Sequence, residues 1–120
     1  MTREQKLEII VKALDSKKAE DIKVIKIGDL TVIADYFVIA DGTSSTQTKT
    51  LAEEAEFKMK ENGEEPLRVQ GNNGSNWIIL DYGDIVVHVF SREARDFYNL
   101  DKLYGDAEEI EFLSPDEKED

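Results

Sequence analysis

The stretch WIILDYGDIVVHVFSREARDFY, residues 77–98, decides the fold, because it holds two strand-forming runs, a turn between them and the start of a helix. Gly83 and Asp84 are a two-residue turn signal between strands over 77–82 and 85–90. With that register Tyr82 faces Ile85, Leu80 faces Val87 and Ile78 faces Val89, so one side of the ribbon is apolar apart from a phenol. That side is expected to be core. The other side pairs Asp81 with Val86, Ile79 with His88 and Trp77 with Phe90, and it carries the only Trp and the only His of the chain. An even-length turn keeps this partition, whereas an odd loop or a bulge would mix the two faces.

A sheet face of Trp, Phe, Ile, His and Asp has the composition of a binding hot spot, since rigid aromatics bury much area at low entropic cost. Two readings stay open: a partner or dimer surface, or a face that a helix covers. Composition alone favours the covered face, because α/β sheets are commonly covered on both sides. A lone His such as His88 is ordinarily a hydrogen-bonded structural residue rather than a catalytic one. Ser91 caps a third helix, REARDFYNLDKLY, with Phe97, Leu100, Leu103 and Tyr104 as its stripe and Gly105 as its end. Arg95 and Tyr98, three apart, are expected on that helix's exposed face as the polar rim beside the hairpin.

Working outward, Thr2 and Gln5 fit a capping box, and Leu7, Ile10, Val11 and Leu14 give the first helix its apolar stripe, ending near Lys18. A strand follows to about Ile27, with a turn at Gly28 and Asp29. YFVIA, residues 36–40, lacks a polar face and reads as a central strand covered on both sides. The small polar cluster after it caps a second long helix with Leu51, Ala52, Ala55 and Met59 on one stripe and Gly63 as its stop. LRVQ is a short strand, and GNNGSN is a loop suited to positive φ. The order is α-β-β-α-β-β-β-α, which predicts a single α/β domain with a mixed five-stranded sheet and flanking helices.

A chain of 120 residues with 40% hydrophobic content supports one modest core. There is no Cys, so disulfides, zinc thiolate sites and cysteine nucleophiles are excluded. No run approaches a membrane span, and the charged N-terminal helix is unlike a signal or transit peptide, so a cytoplasmic protein without membrane attachment is expected. The formal net charge is -12. Residues 106–120 hold eight acidic residues and one Lys, a net of -7, which leaves -5 for the rest. An acidic surface repels phosphate backbones and attracts basic proteins, so little direct nucleic-acid binding is expected. The domain is assigned to 1–107 and an acidic, disordered tail to 108–120.

Cofactor, metal and catalytic chemistry find little support. With one His and no Cys only an all-oxygen metal site remains, and nothing has EF-hand spacing. DGTSST before the second helix places amides and hydroxyls at a helix N-terminus but lacks the Gly spacing and Lys of a phosphate-binding loop. Gly42 and Ser44 invite comparison with nucleotidyltransferases, whose two-metal chemistry needs converging carboxylates on a following strand. Asp81 and Asp84 are three apart across the turn, and no Asp-x-Asp follows on a strand. No enzyme is expected; a nucleotide binder using residues 42–45 is the alternative.

DYFVIADGTSSTQT, residues 35–48, and NWIILDYGDIVVHVFSREARDFYNLDKLYGDA, residues 76–107, closely resemble the ribosomal silencing factor family, also called Iojap-like proteins. The resemblance covers about residues 3–107. It implies a nucleotidyltransferase-like α/β domain without that catalysis, and a homodimer in the free state. As partner it implies the large ribosomal subunit, met through its ribosomal protein fourteen; docking there blocks joining with the small subunit and represses translation under nutrient limitation. Asp35, Tyr36, Gly42, Thr43 and Ser44 match the family in the first segment; Trp77, Asp81, Tyr82, Gly83, Asp84, His88, Phe90, Arg95, Phe97 and Tyr98 match it in the second. Together with the face partition, this assigns partner binding to Trp77, Ile79, Asp81, His88 and Phe90, with Arg95 and Tyr98 at the rim. Thr46 and Tyr104 depart from the family pattern, which commonly has Arg and Trp there.

Overall fold

The computed structural model describes residues 2–28, 30, 32–71 and 76–110. Helix α1 (Arg3–Ser16) starts at the expected capping box: the Gln5 amide donates to Thr2 Oγ1 at 3.1 Å, and the Thr2 amide donates to Gln5 Oε1 at 2.8 Å. Helix α2 (Ser45–Glu61) is capped by Ser44 Oγ, which accepts from the Gln47 amide at 3.1 Å. Gly63, just past its end, has φ +86°, a left-handed position that glycine fills without steric cost. Leu7, Ile10, Val11 and Leu14 of α1 and Leu51, Ala52, Ala55 and Met59 of α2 are buried together against one face of a sheet.

That sheet holds β1 (Glu20–Lys26), β2 (Tyr36–Gly42), β3 (Arg68–Gln70), β4 (Trp77–Asp81), β5 (Ile85–Ser91) and β6 (Glu108–Ile110) in the order β3-β4-β5-β2-β1-β6. Only β2 and β5 run parallel among these pairs, and they form the centre, where every residue but Tyr36 is buried. The apolar run at 36–40 is the central strand its composition predicts. The predicted mixed α/β architecture therefore holds, with six strands instead of five. The sixth was missed because EEI offers one apolar residue and no alternation; its identity comes from pairing, Ile110 opposite Val24. It occupies the first three residues of the segment assigned to the acidic tail, and 111–120 lie outside the described residues, as do 72–75 of the GNNGSN loop and Asp29.

The hairpin has the predicted register. Trp77 faces Phe90, Ile78 faces Val89, Ile79 faces His88, Leu80 faces Val87 and Asp81 faces Val86. Gly83 has φ +89°, the conformation a tight hairpin turn requires, and its amide donates to Asp81 Oδ1 at 2.8 Å. Ile78, Leu80, Val87 and Val89 pack under α1 and α2, while Val86 and Phe90 join Ile25, Phe37 and Ile39 on the opposite face. Tyr82 falls on the helix side as expected; burial pushes its phenol pKa up, helped by Glu56 and Glu64, and its hydroxyl has no hydrogen-bond partner among the described residues.

The expected single third helix is two. Helix α3 (Arg92–Tyr98) ends at Asn99, whose φ of +49° is left-handed, and α4 (Leu100–Leu103) starts there with Asn99 Oδ1 accepting from the Lys102 amide. Asn tolerates this conformation because its short side chain bonds locally. The break divides the predicted stripe: Leu100 is buried over the second sheet face, whereas Phe97 and Leu103 point to solvent.

Candidate functional site

The second face of the hairpin is neither bare nor fully covered. Phe90 is buried at its base, with the indole of Trp77 stacked on it at 4.9 Å between ring centroids and 28° between planes. Tyr98, from the end of α3, lies 4.5 Å from Trp77, and Phe97 meets Tyr98 edge-on at 5.1 Å. The rings climb from the sheet to solvent: Phe90 is buried, Trp77 half-buried, Tyr98 48% exposed and Phe97 81% exposed. Offset and edge-to-face contacts of this kind hold aromatic rings in fixed relative positions. Neither the exposure of Phe97 nor that of Leu103 follows from the helical stripe; the signal that could have found them is Asn99, a helix-cap residue type inside the segment.

His88 stands beside this ladder, 6% exposed, 4.4 Å from the Phe37 ring and 6.2 Å from Phe90. Its Nδ1 accepts the Trp77 indole N–H at 3.1 Å, and Nε2 is buried with no hydrogen-bond partner among the described residues. Burial in this apolar setting pushes the imidazole pKa down from 6.5 to about 4. His88 is thus a buried neighbour of Trp77, with the hydrogen bond expected of a lone strand His.

The fold gathers Trp77, His88, Phe90 and Tyr98 into one cluster with Ile79 next to it. Asp81 is on the same strand face but four residues from Trp77, roughly 13 Å along the strand, where its carboxylate holds the turn. Arg95 departs from expectation. It is 5% exposed, so it is no part of an exposed rim, and its guanidinium donates to Asp41 Oδ1 at 2.7 Å and reaches Asp21 Oδ2 at 3.3 Å. The i,i+3 rule places Arg95 near Tyr98 but carries no information about Asp41, a long-range partner. Of the two departures from the family pattern, Thr46 is exposed on the first turn of α2 and Tyr104 packs edge-on against Phe37 at 5.1 Å.

At the alternative site, residues 42–45, the Thr43 donors are taken by the chain's own Gln47. Gln47 Oε1 accepts from the Thr43 amide at 2.6 Å and from the Thr43 hydroxyl at 2.7 Å, and its amide nitrogen reaches the Lys17 and Lys18 carbonyls at 3.3 Å. A Cβ on Gly42 would stand 3.2 Å from the Thr48 nitrogen. The amide and hydroxyl of Thr43 that would meet a phosphate are therefore engaged. A depression of about 290 Å³ lies at the C-terminal ends of β2 and β5, where open α/β sheets commonly take ligands, but Arg92 there pairs with Glu20, and Arg95 with Asp41 and Asp21. Among the described residues no group of three or more His, Cys, Asp or Glu is placed to hold a metal ion, and no helix is long and apolar enough to cross a membrane.

Fold and site together define a single mixed-sheet α/β domain with two long helices on one sheet face and an aromatic ladder breaking the surface on the other. A family model described as "Ribosomal silencing factor during starvation" matches residues 1–120. The chain belongs to the ribosomal silencing factor family, as the two matching segments imply. It is 39% identical over 111 residues to "Ribosomal silencing factor RsfS" of Halalkalibacterium halodurans, covering 92% of this chain and 95% of that protein. It is 39% identical to the Bacillus subtilis protein of the same name, covering 89% and 91%. "Protein Iojap, chloroplastic" of Zea mays is 35% identical, with 85% of this chain matching 44% of that one. A crystal structure of a Chromobacterium violaceum protein superimposes with a TM-score of 0.85 at 30% identity, over 98% of both chains. One from Bacillus halodurans gives 0.81 at 34%, over 92% of this chain and all of that one.

Proposed function

We propose that this protein binds the large ribosomal subunit through its ribosomal protein fourteen, blocks joining with the small subunit and so represses translation when nutrients are scarce. The observation that carries this reading is membership of the silencing-factor family over residues 1–120. Two physical features support it. The net charge of -12 draws in a basic ribosomal protein, and the ladder of Trp77, Tyr98 and Phe97 supplies apolar area at short range. The docking surface is centred on Trp77, Ile79 and Tyr98, with His88 and Phe90 supporting it from beneath, Asp81 shaping the adjacent turn and Arg95 anchoring α3. The protein acts by steric exclusion rather than catalysis, works in the cytoplasm as a domain that runs past residue 107 to include β6 and is followed by an acidic tail, and is a homodimer when free.

Sucrose-gradient sedimentation of purified large and small subunits in Mg²⁺, with and without the protein, tests this. Co-migration with the large subunit and loss of the joined particle are expected. If the protein stays at the top of the gradient while joining proceeds, the proposal fails.

A further inference from the structure

We propose that His88 is a positioning residue for docking: by accepting the Trp77 indole N–H at Nδ1 it fixes the indole in the orientation a partner meets. This rests on the reading that Trp77 belongs to the docking surface. An indole N–H only donates, so Nδ1 must carry a lone pair, and the imidazole is the neutral tautomer with its proton on Nε2. That Nε2 is buried and has no hydrogen-bond partner among the described residues. Leaving a buried donor unsatisfied is costly, and an apolar side chain of similar shape would remove the cost. What imidazole offers over such a side chain is therefore the acceptor at Nδ1, and its partner is Trp77.

The geometry makes the indole rigid from two directions. Phe90 supports its face at 4.9 Å, while His88 holds its polar edge at 3.1 Å. Among the described residues, the neighbours of His88 are uncharged: Phe37 and Ile39 on β2, Ile79 on β4 and Phe90 on β5. With its pKa near 4 the ring stays an acceptor at neutral pH. An anchor already held in place loses less rotamer freedom on binding, which is the general benefit of preorganisation.

The test follows the single indole N–H by NMR and, in parallel, measures affinity for purified large subunits. In the unmodified protein the nitrogen shifts of His88 should report an unprotonated Nδ1, and the indole N–H should exchange slowly. His88→Leu should speed that exchange and weaken affinity about three- to tenfold. His88→Asn, which keeps an oxygen acceptor near the Nδ1 position, should restore both. In a Trp77→Phe background, which has no N–H, His88→Leu should weaken affinity no further. A proton on Nδ1, an indole still protected in His88→Leu, or the same further loss in the Trp77→Phe background overturns the proposal; the nitrogen shifts decide even if His88→Leu does not fold. Undiminished affinity in a folded Trp77→Ala variant sinks the docking reading itself, and positioning with it. A weakened Trp77→Ala beside a still-protected indole in His88→Leu sinks the positioning role alone.

Discussion

The guanidinium of Arg95 meets the carboxylate of Asp41 at 2.7 Å with both side chains 5% exposed, joining the end of β2 to α3. Removing one partner of a buried pair leaves the other charge poorly compensated, which typically costs about 3–5 kcal/mol when no partner is left, whereas neutralising both costs much less; without Arg95, Asp41 keeps the longer contact with Arg92 Nε at 3.7 Å. Arg95→Met is expected to lower the urea midpoint strongly, and Arg95→Met combined with Asp41→Asn to recover part of the loss. Equal midpoints for the single and double variants would show that Asp41 is not stranded.

Acid should weaken the fold through His88. Its folded pKa of about 4 lies below the ordinary 6.5, so between those values the unfolded chain binds a proton that the native state refuses. Stability is full above 6.5 and declines as pH falls toward 4, by roughly 3 kcal/mol if the whole shift is realised. Asp41 acts in the opposite sense: burial pushes its carboxyl up, against the lowering by Arg95, so its share falls as pH rises above the ordinary 3.8. Urea titrations from pH 7 to 4.5 should show the decline, and His88→Asn should flatten it. An identical slope in that variant would assign the effect elsewhere.

Trp77→Ala should weaken large-subunit binding by about 2 kcal/mol or more if the indole is a hot spot. Phe97→Ser provides the contrast. Phe97 is 81% exposed, so its stability change should stay within about 0.5 kcal/mol while affinity drops. Binding curves alongside circular dichroism check both; a Phe97 variant that binds normally would place the contact lower on the ladder.

Raising salt should slow association far more than it speeds dissociation, because a net charge of -12 steers encounter with a basic partner over a screening length of about 8 Å at physiological ionic strength. Stopped-flow association at two ionic strengths measures it, and a salt-independent on-rate removes steering from the account.

Nucleotides with Mg²⁺ should leave the melting temperature unchanged, since Gln47 occupies the Thr43 donors. Native-state ligands raise the melting temperature, so a reproducible upward shift would revive the nucleotide-binding alternative.

How much of this the sequence carries depends on whether the determinant is local. The hairpin register follows from two residues, Gly83 and Asp84, and both sheet faces follow from the register. The caps at Thr2 and Ser44 are equally local. What escaped depends on distant or exceptional partners. β6 is a strand because β1 is there to pair with it, Arg95 is buried because Asp41 is waiting, and α3 stops because Asn99 adopts a left-handed turn. At the candidate site the ribbon register puts Trp77 and Phe90 on one face, and Tyr98 follows from helix spacing and the family resemblance, but which of the rings reach solvent is set by that turn.

The pairing of β6 with β1 brings together residues far apart along the chain, Ile110 opposite Val24. During synthesis the outer edge of β1 is therefore without a neighbour while the intervening residues are made. Open strand edges invite pairing with other chains, and lysines are a common deterrent. Lys23 and Lys26 flank Val24 and Ile25 in just that way, so the apolar part of β1 carries its own protection against clumping until the late-arriving strand closes the sheet.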